Sequence, residues 1–356
     1  MTVPTALSHA VAQTWPPFVL IAGLLLVGVV AASDRLFEAA GTLAARLPGG
    51  GLVLFAGLMA LVIVVTVILN LDTSVVFLTP ILLHAARRRH LGETAFLYGA
   101  VFMSNSASLL LPGSNLTNLL VLHGRGVSGS VFAARMAPAW AAAVVVTLVV
   151  MVVWRRQDLT PRVREPIEPV APRWGAGMIG VAGATVLVLA VPDPAVPVLV
   201  LGLAVVTGQW WAGRLPLSAA ARSANPALLA GLFAVAVALG WLSRAWGAPG
   251  RLMNSAGPIA SSWIAVAVSG LVNNLPAAVL LSSKSPLHPR ALLIGLDLGP
   301  NLVVTGSLSA IFWLQVAKRE AASPSVRTYS AVGIVLVPLS VMAALAVSGA
   351  LVPGSL

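Results

Sequence analysis

The feature that most constrains this chain is its succession of apolar runs about as long as a bilayer is thick, several of them interrupted by Asn, Asp, Pro and Gly. Uninterrupted runs near the ~20 residues that a helix needs to cross hydrocarbon fall at 15–33, 136–153, 174–191, 196–212, 225–243 and 330–350. Of the 356 residues, 58% are hydrophobic and only 9% charged, too few to solvate the surface of a water-soluble fold. Membrane lipid is therefore the expected partner of most of the surface.

A net charge of +11 does not point to nucleic acid, because the basic residues sit in short clusters between apolar runs, with no recognition helix or stacking platform beside them. Cysteine is absent, which excludes disulfides, iron–sulfur clusters and thiolate metal sites. No HExxH, GxSxG or GxxxxGK[ST] pattern occurs, and the His residues are not spaced as metal ligands. No enzyme activity, cofactor or metal is expected, and ATP, if used, would have to be bound by a partner. The N-terminus lacks the basic region and cleavage site of a removable signal peptide.

Four further apolar stretches are broken. Stretch 52–86 is predicted to break at Asn70-Leu71-Asp72-Thr73-Ser74, and 94–122 around Ser104-Asn105-Ser106 and again from Pro112 to Asn118. Stretch 257–286 breaks at Asn273-Asn274-Leu275-Pro276, and 291–316 at Asp297 to Asn301 and at Thr305-Gly306-Ser307. With the N-terminus outside, and with 52–86 and 257–286 as re-entrant hairpins, only Arg125, Arg135, Arg244, Arg251, Lys284 and Arg290 of the 21 basic residues fall outside. The others, including Arg87-Arg88-Arg89, Arg155-Arg156 and Lys318-Arg319, fall inside, as the positive-inside rule requires.

The order span, hairpin, broken span, span then occurs twice, in opposite orientation. The expected fold is an all-α polytopic membrane protein with an inverted repeat, two re-entrant hairpins and two broken transmembrane helices. Its divisions are a first repeat (1–153), a cytoplasmic linker (154–173), a connecting helix pair (174–224) and a second repeat (225–356).

Unwound backbone in hydrocarbon survives only where protein or a wet cavity surrounds it. Each break also presents helix ends, and neutral Asn, Ser and Thr side chains, to any small polar solute. The expected substrate-binding residues are Asn70, Thr73, Asn115, Thr117, Asn118, Asn273, Asn274, Asn301 and Ser307. Asp72 and Asp297 are the only carboxylates placed inside the membrane, with no Lys or Arg there to pair with. Neutralisation by a proton or Na⁺ is their expected state, which makes them the proton-coupling candidates.

The same residues resemble the ArsB-type arsenite/antimonite efflux permeases of the ion-transporter superfamily. Asp297-Leu298-Gly299-Pro300, Thr305-Gly306-Ser307-Leu308 and Trp313-Leu314 look like that family's DLGP…GSL…WL segment, and Asn273-Asn274-Leu275-Pro276 like its NNxP hairpin tip. Asp72 with Leu78-Thr79-Pro80, and Ser106-Ala107-Ser108-Leu109 with Ser114 to Asn118, are similar to its first-half motifs. Two departures stand out: Leu71 replaces the Asn before the hairpin Asp, and Asn105 or Ser106 replaces an Asp of the broken span. Against the family's pattern, the resemblance implies a chain shorter by about two N-terminal helices.

The resemblance implies a multi-pass protein of a bacterial cytoplasmic membrane. Its activity would be export of As(OH)₃ or Sb(OH)₃, small neutral inorganic solutes, in exchange for protons, with or without a soluble ATPase partner. Silicic acid, Na⁺/H⁺ exchange and a small organic acid are alternatives within transport, and a transport-inactive membrane component is one outside it.

Overall fold

In hydrocarbon every backbone N–H and C=O must be paired internally, so long apolar runs become helices. The computed structural model describes residues 3–349 except 47, 123–124, 161–174, 192, 225 and 283. Among the described residues the secondary structure is helical, without strands.

The first set of elements is α1 (Val3–Ser33), α2 (Leu36–Ala45), α3 (Gly51–Ile68), α4 (Leu71–Arg88), α5 (Glu93–Ala107), α6 (Leu116–Leu122) and α7 (Gly129–Arg155). A short 3-10 turn, Pro112–Ser114, separates α5 from α6. Then come α8 (Ala176–Ala190), α9 (Ala195–Trp211) and α10 (Leu217–Ala224). The second set is α11 (Pro226–Trp246), α12 (Ala248–Ser255), α13 (Pro258–Val272), α14 (Asn274–Leu281), α15 (Pro289–Leu298), α16 (Leu308–Arg319) and α17 (Val326–Val347). Two 3-10 turns, Gly299–Leu302 and Val304–Gly306, separate α15 from α16.

Both sets read long helix, short helix, hairpin, broken span, long helix. The short helices α2 and α12, not anticipated from the sequence, are each entered through a left-handed residue, Arg35 at φ 59° and Gly247 at φ 68°. Packing between the sets is reciprocal: α16 lies on α4 as α6 lies on α14, α1 pairs with α11, and α7 pairs with α17. Val145, Val149 and Val153 form an exposed stripe at helical spacing along α7, the signature of a lipid-facing side.

Several expected boundaries are corrected. Ser104-Asn105-Ser106 is not a break: α5 runs through it, because these side chains bond to neighbouring helices without releasing the backbone. The first hairpin breaks only at Leu69-Asn70, so Asp72, Thr73 and Ser74 form the first turn of α4. Likewise Asn273 is the only non-helical residue between α13 and α14. With 18 residues, all but Thr66 apolar or Gly, α3 is long enough to cross a membrane by itself, yet α4 folds back along it, with Ser74 Oγ donating to the Val62 carbonyl at 3.3 Å. The central helices α8 and α9 are shorter than the ~20 residues expected of a full span. The expected linker begins as helix, since α7 reaches Arg155 and a 3-10 turn covers Arg156–Leu159; 161–173 lies outside the described residues.

Candidate functional site

The two broken spans meet end to end, so helix ends from both halves converge on one buried cluster. Near the end of α15, Asp297 is wholly buried and faces the start of α6. Its Oδ1 accepts from Thr117 Oγ1 at 2.5 Å and from Asn115 Nδ2 at 3.0 Å, whereas Oδ2 has no partner. Both donors are neutral and both sit on one oxygen of the carboxylate.

The freed backbone of the first break is bonded by side chains from within it. Asn118 Nδ2 donates to the carbonyls of Ser108 (2.8 Å) and Leu111 (3.1 Å), and Ser114 Oγ lies 2.5 Å from the same two carbonyls. This is how unwound chain persists at membrane depth. Asn115 Nδ2 also reaches Ser108 Oγ at 3.3 Å, and that hydroxyl donates to the Asn105 carbonyl at 2.8 Å.

The second break is held mainly by side chains from other elements. Asn105, on α5, donates from Nδ2 to Asn301 Oδ1 at 2.7 Å and accepts from Ser309 Oγ at 3.4 Å. Ser309 and Ser307 share a hydrogen bond of 2.8 Å, and Ser307 Oγ caps α16 by accepting from the Ala310 N–H. Asn301 Nδ2 is left without a partner. Tyr329 of α17 donates to the Pro300 carbonyl at 3.0 Å, and the Asn301 carbonyl comes so close to Gly333 that a Cβ there would lie 2.1 Å from it.

The hairpin tips frame this cluster differently. Asn70 is buried and caps α4, its Oδ1 accepting from the Thr73 N–H at 2.7 Å, with Nδ2 unpartnered. Thr73 packs against Gly28 of α1, and Ser104 Oγ donates to Ser74 Oγ at 3.3 Å, tying the tip to α5. Asp72 is half-buried and accepts no hydrogen bond among the described residues. At the other tip Asn273 takes φ 82°, caps α14 through Leu275 and donates to the Thr305 carbonyl at 3.0 Å; Asn274 is buried beside it.

The structure therefore joins Asp297, Asn115 and Thr117 directly, with Asn118 on the same break, and joins Asn301 and Ser307 through Asn105 and Ser309. It leaves Asn70, Thr73 and Asp72 at one hairpin tip and Asn273 and Asn274 at the other, without a direct bond to Asp297. The sequence reading missed Asn105, Ser108 and Ser309 as site residues. Matching Asn115-Leu116 to Ser307-Leu308 would have exposed Asn105 and Ser309 as the counterparts of Asp297 and Thr117, since each pair marks the end of a 3-10 turn and the start of a helix. No Lys, Arg or His bonds to these side chains among the described residues. A cavity of about 680 Å³ bordered by Trp15, Leu20, Pro112, Leu119 and Val188 reaches the first break from the α8–α9 loop.

Residues 1–292 match the citrate transporter (CitMHS) family. Among curated relatives, the arsenical pump membrane protein of Escherichia coli is 24% identical over 358 residues, covering 90% of this chain and 83% of the relative. That of Shigella flexneri is 25% identical over 357 residues with the same coverage. Among solved structures, the YdaH transporter of Alcanivorax borkumensis, whose crystal structure has an unusual topology, superposes with a TM-score of 0.62 over 97% of this chain and 87% of that one. At 16% identity this likeness concerns the fold alone.

Proposed function

From the premise that this chain belongs to the citrate transporter family and is a multi-pass membrane transporter, we propose that it exports a small neutral polyhydroxyl solute, arsenous or antimonous acid, in exchange for protons. The observation that carries this reading is the buried junction of Asp297, Asn115, Thr117, Asn105 and Asn301, which offers hydroxyls, amides and one carboxylate with no cation. Three hydroxyls of a neutral solute can be matched by such groups. A tricarboxylate would bring further negative charge beside Asp297 with nothing to offset it, at a cost of several kcal/mol.

In this account Asp297 carries the exchanged proton and Asp72 is the secondary candidate. Asn115, Thr117, Asn118, Asn301 and Ser307 line the solute site, with Asn70, Thr73, Asn273 and Asn274 at the hairpin tips closing it. Alternating access arises from movement of the two repeats, 1–153 and 225–356, about the junction, with the N-terminus outside and the protein in a bacterial cytoplasmic membrane. The relatives' description as an arsenical pump supports the solute, and leaves room for a soluble ATPase partner.

A second reading, a small organic acid, is favoured by the family match. Everted membrane vesicles with an acidic lumen separate the two. Arsenite should accumulate and a protonophore should abolish the accumulation. Citrate accumulation without arsenite movement would overturn the proposal in favour of the organic acid.

A further inference from the structure

The two breaks are superimposable in register. Asn115, Leu116 and Thr117 stand to Ser307, Leu308 and Ser309 at one constant spacing, and the 3-10 turn Pro112–Ser114 stands to Val304–Gly306 at the same spacing. That spacing also carries Asn105 onto Asp297. Both are wholly buried, and both lie within the last turn of the helix that enters the break, α5 or α15. Each accepts a hydroxyl from the matching position of the opposite half: Asp297 from Thr117 at 2.5 Å, Asn105 from Ser309 at 3.4 Å. The burial and the hydroxyl contact of Asp297 are thus repeated with an amide where the carboxylate would be, while the second contact differs: Asn115 donates to Asp297, and Asn105 donates to Asn301.

We infer that Asn105 is a specificity-determining residue for the charge that moves with the solute: it occupies the second of two equivalent carboxylate seats and keeps that seat neutral. The inference rests on the reading of this junction as the transport site. Among the described residues Asp297 is the only ionisable side chain in the hydrogen-bonded set, and Asn115 and Ser108 connect it to the backbone carbonyl of Asn105. Asp72, on α4, which also packs against α5, makes no bond to it. Two carboxylates buried in one junction would repel each other, so one neutral seat limits the junction to one exchangeable charge.

The seat can take a carboxylate without repacking. Asn and Asp have the same shape, and the one donor that would be lost, Asn105 Nδ2, now serves Asn301 Oδ1. Turning the Asn301 amide over would present its unpartnered Nδ2 to the new carboxylate, and Ser309 already donates there. Leucine has a similar volume and offers no polar atom, so it would strand both neighbours.

The test compares Asp297→Asn, Asn105→Asp, Asn105→Leu and the transposed double variant Asn105→Asp/Asp297→Asn, purified and reconstituted. Asp297→Asn should lose at least about tenfold of proton-driven arsenite accumulation, and the transposed variant should recover about a third or more of the wild-type rate. A transposed variant that folds yet stays as inactive as Asp297→Asn, beside an active wild type, overturns the inference.

Infrared difference spectra decide the matter independently of substrate. The carboxyl band of the transposed variant should coincide with the band removed by Asp297→Asn. If the wild type moves neither arsenite nor citrate, the reading of the solute has failed, and coincident bands still uphold the equivalence of the seats. A band typical of a water-exposed carboxylate, or a folded Asn105→Leu beside an unfolded Asn105→Asp, overturns it.

Discussion

The two halves share an order of elements but not a cover, and the difference shows what the central helix pair is for. In the first half, α8 and α9 press on α1 and on the broken span. A Cβ at Gly23 would lie 2.7 Å from the Leu199 backbone, one at Gly202 would lie 2.7 Å from the Gly23 carbonyl, and one at Gly129 would lie 2.2 Å from the Val188 carbonyl. Close helix crossing through small residues of this kind is how membrane helices associate, since lipid offers no hydrophobic drive between them. The second half has no such pair among the described residues. Along α11 only Ala236, Gly240 and Ser243 are buried among the described residues, whereas α1 buries most positions from Leu20 to Ala31. Directly before the capping Asn of each hairpin, Leu69 is 1% exposed and Val272 46%, and Thr305 on the second break is exposed where its counterpart Gly113 is buried. The first break is covered by protein apart from the cavity that reaches it from the α8–α9 loop, and the second is exposed at Thr305.

If this contrast is right, equivalent perturbations should have unequal effects. Gly202→Leu should be the most damaging, by about 3 kcal/mol of stability, because the new side chain has to separate α9 from α1. Gly231→Leu on α11, where nothing lies within 4 Å, should stay within about 0.5 kcal/mol of wild type. Thermal unfolding in detergent measures both, and equal losses would break the comparison.

Asp34→Ala should follow at about 2 kcal/mol. This buried carboxylate accepts from the Gly177 N–H at 2.7 Å and from Gln209 Nε2 at 2.9 Å, so it fastens the ends of α8 and α9 to α1. Loss of Asp34 should also raise protease sensitivity in the α8–α9 region before the rest of the chain, and uniform sensitivity would contradict its role as a local clasp.

At the hairpins, Asn70→Ala removes the cap of α4 and should cost about 1 kcal/mol. Asn273→Gly should cost only a few tenths, because glycine tolerates the φ of 82° that Asn273 adopts. A larger loss at 273 than at 70, read from the same unfolding curves, would reverse the ranking of the two tips.

Much of this architecture is legible in the sequence. Apolar length, together with Asn, Pro and Gly, locates the hairpins and both broken spans, and Asp297 stands out because a carboxylate amid apolar residues is costly. What is not legible depends on contacts between distant residues. Ser104-Asn105-Ser106 reads as a break because polar residues in an apolar run look alike whether they free the backbone or bond sideways; their partners Ser74, Asn301 and Thr147 are on other elements. Asp34 reads as an ordinary span-end acid, since only the fold brings Gly177 and Gln209 to it. The covering role of α8 and α9 is hidden for the same reason, because apolar composition does not say which face a helix will bury.

The central claim is that Asp297 at the meeting point of the broken spans couples proton movement to solute export. Its most direct test is gradient-driven arsenite uptake into everted vesicles by wild type and Asp297→Asn, at matched expression and matched melting temperature. The account predicts accumulation in the wild type that disappears with the gradient, and none in the variant. Accumulation by Asp297→Asn at the wild-type rate, still dependent on the gradient, would contradict it.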